Sequence, residues 1–252
     1  MWYHCDRMRY AVLADIHANL EALNTVLADI EHRGGVDEFW VLGDTVGYGP
    51  DPHRCIARVR ELPGVVVAGN HDRAAVGSGG FGFRFHTEAA TAVTWTAEHV
   101  DADEIAYLSA LPTLLERDDF TLAHGSPRQP VSEYLTSEAA ARQNFNLMKT
   151  PHGAVGHSHL PLVFTLGESG RVEYSPLVPD VTLTIDDNRL IFNPGSVGQP
   201  RDGDPRAAYV IYDSDSHSIT LRRIAYDIAA VQLKMVSFNL PYQLISRLER
   251  GF

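Results

Sequence analysis

Seven side chains able to bind divalent cations stand at the ends of five apolar runs in this 252-residue chain. They are Asp15 and His17 after residues 10–14, Asp44 after 39–42, Asn70 after 65–68, His124 after 120–123, and His157 and His159 after 154–155. Any one alone reads as a cap or a surface residue. Buried together without a cation, two carboxylates and four imidazoles would cost several kcal/mol per unpaired charge, and two divalent cations would satisfy them. Oxygen and imidazole donors without thiolate favour Mn, Fe or Zn over soft ions. Two such ions about 3.5 to 4 Å apart, joined by a carboxylate, can hold a water whose pKa falls from about 15.7 toward 7. Such a water is a nucleophile at neutral pH, and the paired cations suit in-line attack at phosphorus.

The elements that must carry these groups follow from periodicity and punctuation. Residues 10–14 read as a buried strand. Leu20, Leu23, Val26, Leu27 and Ile30 then have the spacing of an amphipathic helix, which Gly34-Gly35 ends. Residues 39–42 form a second strand, and Gly43, Gly47, Gly49 and Pro50 keep the turn around Asp44 from continuing it. A helix over 53–62 is entered through Pro52 and closed by Pro63-Gly64, and 65–68 is a third strand. This β-α-β-α-β run predicts parallel strands with right-handed crossovers, whose carboxyl ends are where ligands collect.

Residues 77–85, rich in Gly and Phe, read as a mobile lid. Helices are expected over 87–99 and 102–111, the second capped by Asp101 with Glu104 three residues on. A strand over 120–123 and a helix over 137–148 follow. Beyond His159 the short runs 162–165, 172–174, 181–185, 190–193, 207–212 and 218–223 predict antiparallel strands. Two apolar helices, 228–235 and 242–248, could pack on the core or on a second copy of the chain.

Composition narrows the function. The apolar fraction of 44% and charged fraction of 21% are those of an ordinary globular protein. A net charge of −11 argues against a nucleic-acid polymer as partner. Bound cations would reverse that sign locally, so a small phosphorylated or nucleotide-like substrate remains open. Cys5 and Cys55 make no CxxC pair, which fits a reducing cytoplasm. There is no signal-like or membrane-spanning apolar run. Residues 1–8 are expected to be an extension of a single domain spanning 1–252.

The ordered set Asp15-Ile16-His17, Gly43-Asp44, Gly69-Asn70-His71-Asp72, His124-Gly125 and Gly156-His157-Ser158-His159 resembles the calcineurin-like metallophosphoesterase superfamily over residues 10–160. Asn193-Pro194-Gly195-Ser196-Val197-Gly198 and Pro200-Arg201 resemble the late loop of its small prokaryotic phosphoesterase branch. The resemblance implies an α/β (α+β) fold, a two-layer β-sandwich of mixed sheets flanked by helices, with a dinuclear centre between the sheet edges. It implies that Asp15, His17 and His159 hold one ion, that Asn70, His124 and His157 hold the other, and that Asp44 bridges. His71 is then the general acid and not a ligand. The implied activity is metal-dependent hydrolysis of phosphoester bonds.

The departures from the family pattern bear on substrate. Where Ser/Thr protein phosphatases and symmetrical dinucleoside tetraphosphatases carry Asp-Arg-Gly, this chain has Gly47, Tyr48 and Gly49, and Ala68 stands where an arginine often precedes Gly69. The carboxylate that orients the catalytic histidine and the arginine fork on the phosphate are missing. A fork matches a phosphate with two or more free oxygens, so its loss suits a diester better than a monoester or a phosphoprotein. Arg201 and Arg206 are candidates to replace it, and Tyr48 to line the substrate side. The alternatives are a phosphomonoesterase or protein phosphatase, and a silent scaffold of the same fold; the intact ligand set with His71 argues against the scaffold.

Overall fold

The computed structural model describes residues 8–77, 85–185 and 188–252. The N-terminal part alternates strand and helix: β1 (Arg9–Leu13), α1 (Leu20–His32), β2 (Glu38–Val41), α2 (Pro52–Glu61) and β3 (Gly64–Val66). Both strand pairs in this run are parallel. The apolar stripe of α1 (Leu20, Leu23, Val26, Ile30) and Cys55 and Val59 of α2 bury against Ala11, Leu13, Phe39 and Val41. Asn19 starts α1 by accepting the Ala22 N–H, and Pro52 opens α2 where a missing N–H costs nothing.

Three helices follow, α3 (Asn70–Ala75), α4 (Thr87–His99) and α5 (Ala102–Ala110), and Asp101 and Glu104 cap α5 reciprocally. Then come β4 (Leu114–Arg117), β5 (Phe120–Ala123), α6 (Glu138–Phe145) and β6 (His152–Ala154). Next are β7 (Pro161–Leu166), β8 (Val172–Pro176), β9 (Thr182–Thr184), β10 (Arg189–Pro194), β11 (Ala207–Asp213) and β12 (Ser218–Ile224). Helices α7 (Ile228–Ser237) and α8 (Tyr242–Arg247) come last. The strands form two mixed six-stranded sheets, β3-β2-β1-β11-β12-β9 and β4-β5-β6-β10-β7-β8.

The sheets face each other across one apolar layer. Val12, Ala14, Trp40 and Leu42 from the first meet Phe120, Leu122, Ala154 and Phe192 from the second. Because β1 is covered by α1 on one face and by the second sheet on the other, it reads as an unbroken apolar run without alternation. The Trp40 ring lies 4.5 Å from Tyr10 and 5.1 Å from Phe120, centroid to centroid. Helix α6 covers the outer face of the second sheet, and α4, α7 and α8 pack around Tyr48.

Several expectations are refined. The C-terminal strands pair antiparallel as expected, but β10 also lies parallel to β6, which places the Asn193 loop beside the His157 loop. Helix α3 and strand β4 are additional, and α6 stops at Phe145, short of 148. Met8 donates its N–H to Ser214 Oγ, and its side chain packs on the interlayer core. Residues 1–7, and 78–84 of the expected lid, lie outside the described residues.

Trp40 is fully buried in the interlayer core. Trp40→Ala should therefore lower unfolding stability by about 3–5 kcal/mol, read as a shift of the urea midpoint at constant slope.

Candidate metal centre

The carboxyl ends of β1, β2, β3, β5 and β6 converge at one edge of the two sheets. The structure brings all seven expected ligand residues together there, each buried. Ligand atoms of Asp15, His17 and His159 lie within 4.8 Å of one another, as do those of Asp44, His124 and His157. These are two adjacent His/Asp clusters positioned for divalent cations. The Asn70 Oδ1 joins the second, 3.0 Å from His124 Nε2. His71 joins Asp44 and His17 within the same span.

Each carboxylate divides its oxygens between structure and cluster. Asp15 Oδ2 accepts the His157 backbone N–H at 3.0 Å, tying the β1 tip to the β6 tip across the two sheets. Its Oδ1 faces His159 Nε2 at 3.2 Å and has no hydrogen-bond partner. Asp44 Oδ1 accepts the His71 N–H at 2.8 Å, and its Oδ2 points at both clusters, 3.3 Å from His124 Nε2 and 3.7 Å from His17 Nε2. A Cβ on Gly69 would lie 2.0 Å from Asp44 Oδ1, so only glycine lets the β2 and β3 tips come this close.

The imidazole tautomers decide what fits between them. Nδ1 of His17, His124 and His159 each faces a backbone carbonyl, of Val46, Leu42 and Gln199, to which it must donate. His17 and His159, which burial keeps neutral, therefore present lone pairs at Nε2, and His124 does so once a cation replaces its second ring proton. His17 Nε2 and His159 Nε2 are nevertheless 3.2 Å apart. Acceptors converging on acceptors, with an orphaned carboxylate oxygen among them, fit a bound cation.

Charge balance points the same way. Burial opposes ionisation of Asp44, but the facing His124 and His71 hold its pKa well below the carboxylate range. Burial lowers His17 and His159 and takes His157 down to about 3 and His71 to about 4. At His124 burial is outweighed by Asp44, and the ring rises to about 9. Without a cation the cluster keeps a proton on His124 beside Asp44; a cation at Nε2 takes its place.

The remaining sequence candidates separate. Tyr48 is at the site, its ring centroid 4.5 Å from His17 and 4.3 Å from His71. Arg201 reaches it too, with Nη2 3.4 Å from the Tyr48 hydroxyl and 2.9 Å from Gln199 Oε1. Arg206 does not: Asp204 holds its guanidinium at 2.6 Å. Other residues complete the site, Asp72, Asn193 and Ser196 from within the sequence motifs and Arg247 from outside them. Asp72, fully buried, accepts the N–H groups of Val46 and Gly69 and locks the β2 and β3 tips together. Asn193 donates to Gly156 O and Ser158 Oγ, and Ser196 Oγ donates to Asp15 O. Arg247, on α8, donates to Gln199 Oε1 at 3.3 Å. The 193–198 motif signalled this loop, whereas nothing local to Arg247 did.

Two facing mixed sheets that present paired His/Asp clusters define a dinuclear metal-dependent phosphoesterase. Residues 8–217 match the calcineurin-like phosphoesterase superfamily domain, and the chain belongs to that superfamily. It is similar to a metallophosphoesterase from Sphaerobacter thermophilus of known structure, with 40% identity, 98% of this chain and 100% of that one covered, and a TM-score of 0.88. It is 37% identical to an uncharacterised protein of Methanocaldococcus jannaschii, over 96% of this chain and 97% of that one. A symmetrical bis(5'-nucleosyl)-tetraphosphatase of Vibrio campbellii is 27% identical over 52% of this chain and 49% of its own length. Among the described residues no helix is long and apolar enough to cross a membrane.

A divalent ion at a hundred times its Kd should add about 2.7 kcal/mol to unfolding stability. Denaturant midpoints of metal-loaded and chelator-treated chain measure this, and equal midpoints despite verified uptake would overturn the site. In the metal-free chain the depressed His17, His71, His157 and His159 contribute stability that is present above their unfolded value of about 6.5 and lost as pH falls. They outnumber Asp72, which burial and Asp44 raise to about 6 and which acts in the opposite sense. His124 contributes stability that is full below about 6.5 and lost as pH rises through about 9. Metal-free stability should thus peak near pH 6.5, and metal loading should remove the alkaline loss; midpoints at pH 5, 6.5 and 9 test this.

Proposed function

We propose that the chain hydrolyses phosphoester bonds of small nucleotide-like substrates, diesters ahead of monoesters. In this reading Asp15, His17 and His159 hold one cation, Asn70, His124 and His157 the other, and Asp44 lies between them. The observation that carries it is the position of Asp44 Oδ2, within 3.7 Å of an imidazole nitrogen of each cluster. Mn, Fe or Zn suits this oxygen and imidazole donor set. When bound, two such cations acidify water and neutralise charge on the phosphoryl oxygens.

The chain's own residues orient the reaction. His71 is tied to Asp44 through its backbone N–H, and its ring is wedged between Tyr48 and Phe85, 4.3 and 4.9 Å away. We assign it to the leaving oxygen as proton donor, or to a phosphoryl oxygen as hydrogen-bond donor, a role worth about 10² to 10⁴ in rate. Burial lowers its pKa, and an anionic phosphate docked beside it raises that value again. Tyr48 and Arg201 line the substrate side. Arg206 is held by Asp204 and has no part in this reading.

Strands from both ends of the chain share one sheet, which supports a single domain. A cytoplasmic location accords with the buried, unpaired Cys55. Exposed Leu233, Val236 and Tyr242 on α7 and α8 leave a surface for a second copy of the chain.

On Mn-loaded protein, bis-p-nitrophenyl phosphate should turn over faster than p-nitrophenyl phosphate. Asp44→Asn and His71→Ala should each lower kcat by at least about 10². Unchanged rates in both variants would sink the reading.

A further inference from the structure

Three buried nitrogen donors beside the metal centre lack an acceptor. Gln199 Oε1 accepts from Arg201 Nη2 at 2.9 Å and from Arg247 Nη1 at 3.3 Å. A guanidinium can only donate, so this atom must be the carboxamide oxygen and the amide NH₂ points elsewhere. That Nε2, together with Nε of Arg201 and Nε of Arg247, is buried without a hydrogen-bond partner. No carboxylate among the described residues pairs with either guanidinium, whereas Arg117, Arg128, Arg206 and Arg223 each have one. Two cations thus meet on one neutral oxygen, partly buried and with uncompensated charge, an arrangement an anion relieves.

The cluster is joined to the metal centre. The Gln199 backbone carbonyl accepts from His159 Nδ1, and the Arg201 guanidinium lies over the Tyr48 ring, 5.7 Å from its centroid. Arg201 sits on the side of the centre, and Arg247, carried on α8, lies one step further out. Two divalent cations facing Asp15 and Asp44 already balance one phosphate and one water-derived anion. The guanidiniums come in addition.

We propose that Arg201, Arg247 and the Gln199 carboxamide form a second phosphate subsite, which selects substrates carrying two phosphates joined by an anhydride bridge. The reaction itself rests on the function proposed above. The water oxygen bonds to the phosphorus at the metal clusters, and the bond from that phosphorus to the bridging oxygen breaks. The bridging oxygen keeps the electron pair and departs on the second phosphate, held by the guanidiniums. One proton of the water stays on the new P–O group and the other passes to solvent.

Calorimetry on the metal-loaded chain tests the subsite without turnover, using methylenediphosphonate, which cannot be hydrolysed, against inorganic phosphate. The diphosphonate should bind more tightly, on the order of tenfold. Arg247→Ala should abolish that preference, and Arg247→Lys, which restores charge but not the fork, should return part of it. Gln199→Leu provides a second variant should Arg247→Ala fail to fold, and it should also reduce the preference. In parallel, the ratio of kcat/KM for ADP to that for bis-p-nitrophenyl phosphate should fall on the order of tenfold in Arg247→Ala. Equal weakening of phosphate and diphosphonate, or no change in either, would overturn the subsite. Failure of the wild-type chain to hydrolyse any phosphoester would instead count against the proposed function, and the calorimetric comparison would still decide the subsite.

Discussion

Lone pairs facing lone pairs, sealed inside the protein, are the constraint on which this structure depends. His17 and His159 point unprotonated nitrogens at each other across 3.2 Å because their other nitrogens are committed to backbone carbonyls. In a buried setting such contacts are repulsive, and a cation between them reverses the sign. The surrounding architecture serves to keep those nitrogens in place. Backbone carbonyls fix the tautomers, Asp15 ties one sheet's tip to the other's, and Asp72 locks the neighbouring tips together.

The backbone at the centre is itself unusual. Asp15, His17, Asp44, His157 and His159 all have positive φ, between 50° and 66°. The left-handed region disfavours L-residues, and each such residue costs on the order of 1–3 kcal/mol. The conformation turns each side chain inward at the strand tip instead of along the strand, so the tips of β1, β2 and β6 can aim at a common point. Hydrogen bonds between loops hold it: His17 and Ala18 donate to Asp44 and Thr45 carbonyls, and Gly198 donates to Asp15 O. Binding of cations offsets this strain, which gives the metal a stake in the fold as well as in the chemistry.

What the sequence revealed followed from local rules. Ligand types at the ends of apolar runs, and the helix of period 3.6 after β1, needed only neighbouring residues to be read. The same holds for α4, whose bounds 87–99 agree with the structure, and for the Asp101–Glu104 cap. What escaped was set by distant chain. Nothing near β10 signals that it lies parallel to β6, and the left-handed ligands carry no glycine to mark them. Arg247 lies 48 residues from the Gln199 it contacts and looks like any charge ending a surface helix. Arg206 was as plausible as Arg201 by position, yet Asp204, two residues away, claims it.

The absence of an orienting carboxylate at Gly47 has a steric counterpart. A Cβ at Gly47, whose φ is +89°, would stand 2.4 Å from Nδ1 of His71, so the ring occupies the space that any larger residue would need. Nδ1 consequently has no hydrogen-bond partner to fix it. Its orientation is set by packing, with Tyr48, Phe85 and the edge of His17 around it. A carboxylate partner would stabilise an imidazolium, whereas an aromatic enclosure favours the neutral ring. On the proposed function, a site built this way suits a leaving group that departs easily as an anion, with His71 acting as hydrogen-bond donor to a phosphoryl oxygen. The substitution of Gly47 and the cationic pair at Arg201 and Arg247 thus point toward the same kind of scissile bond.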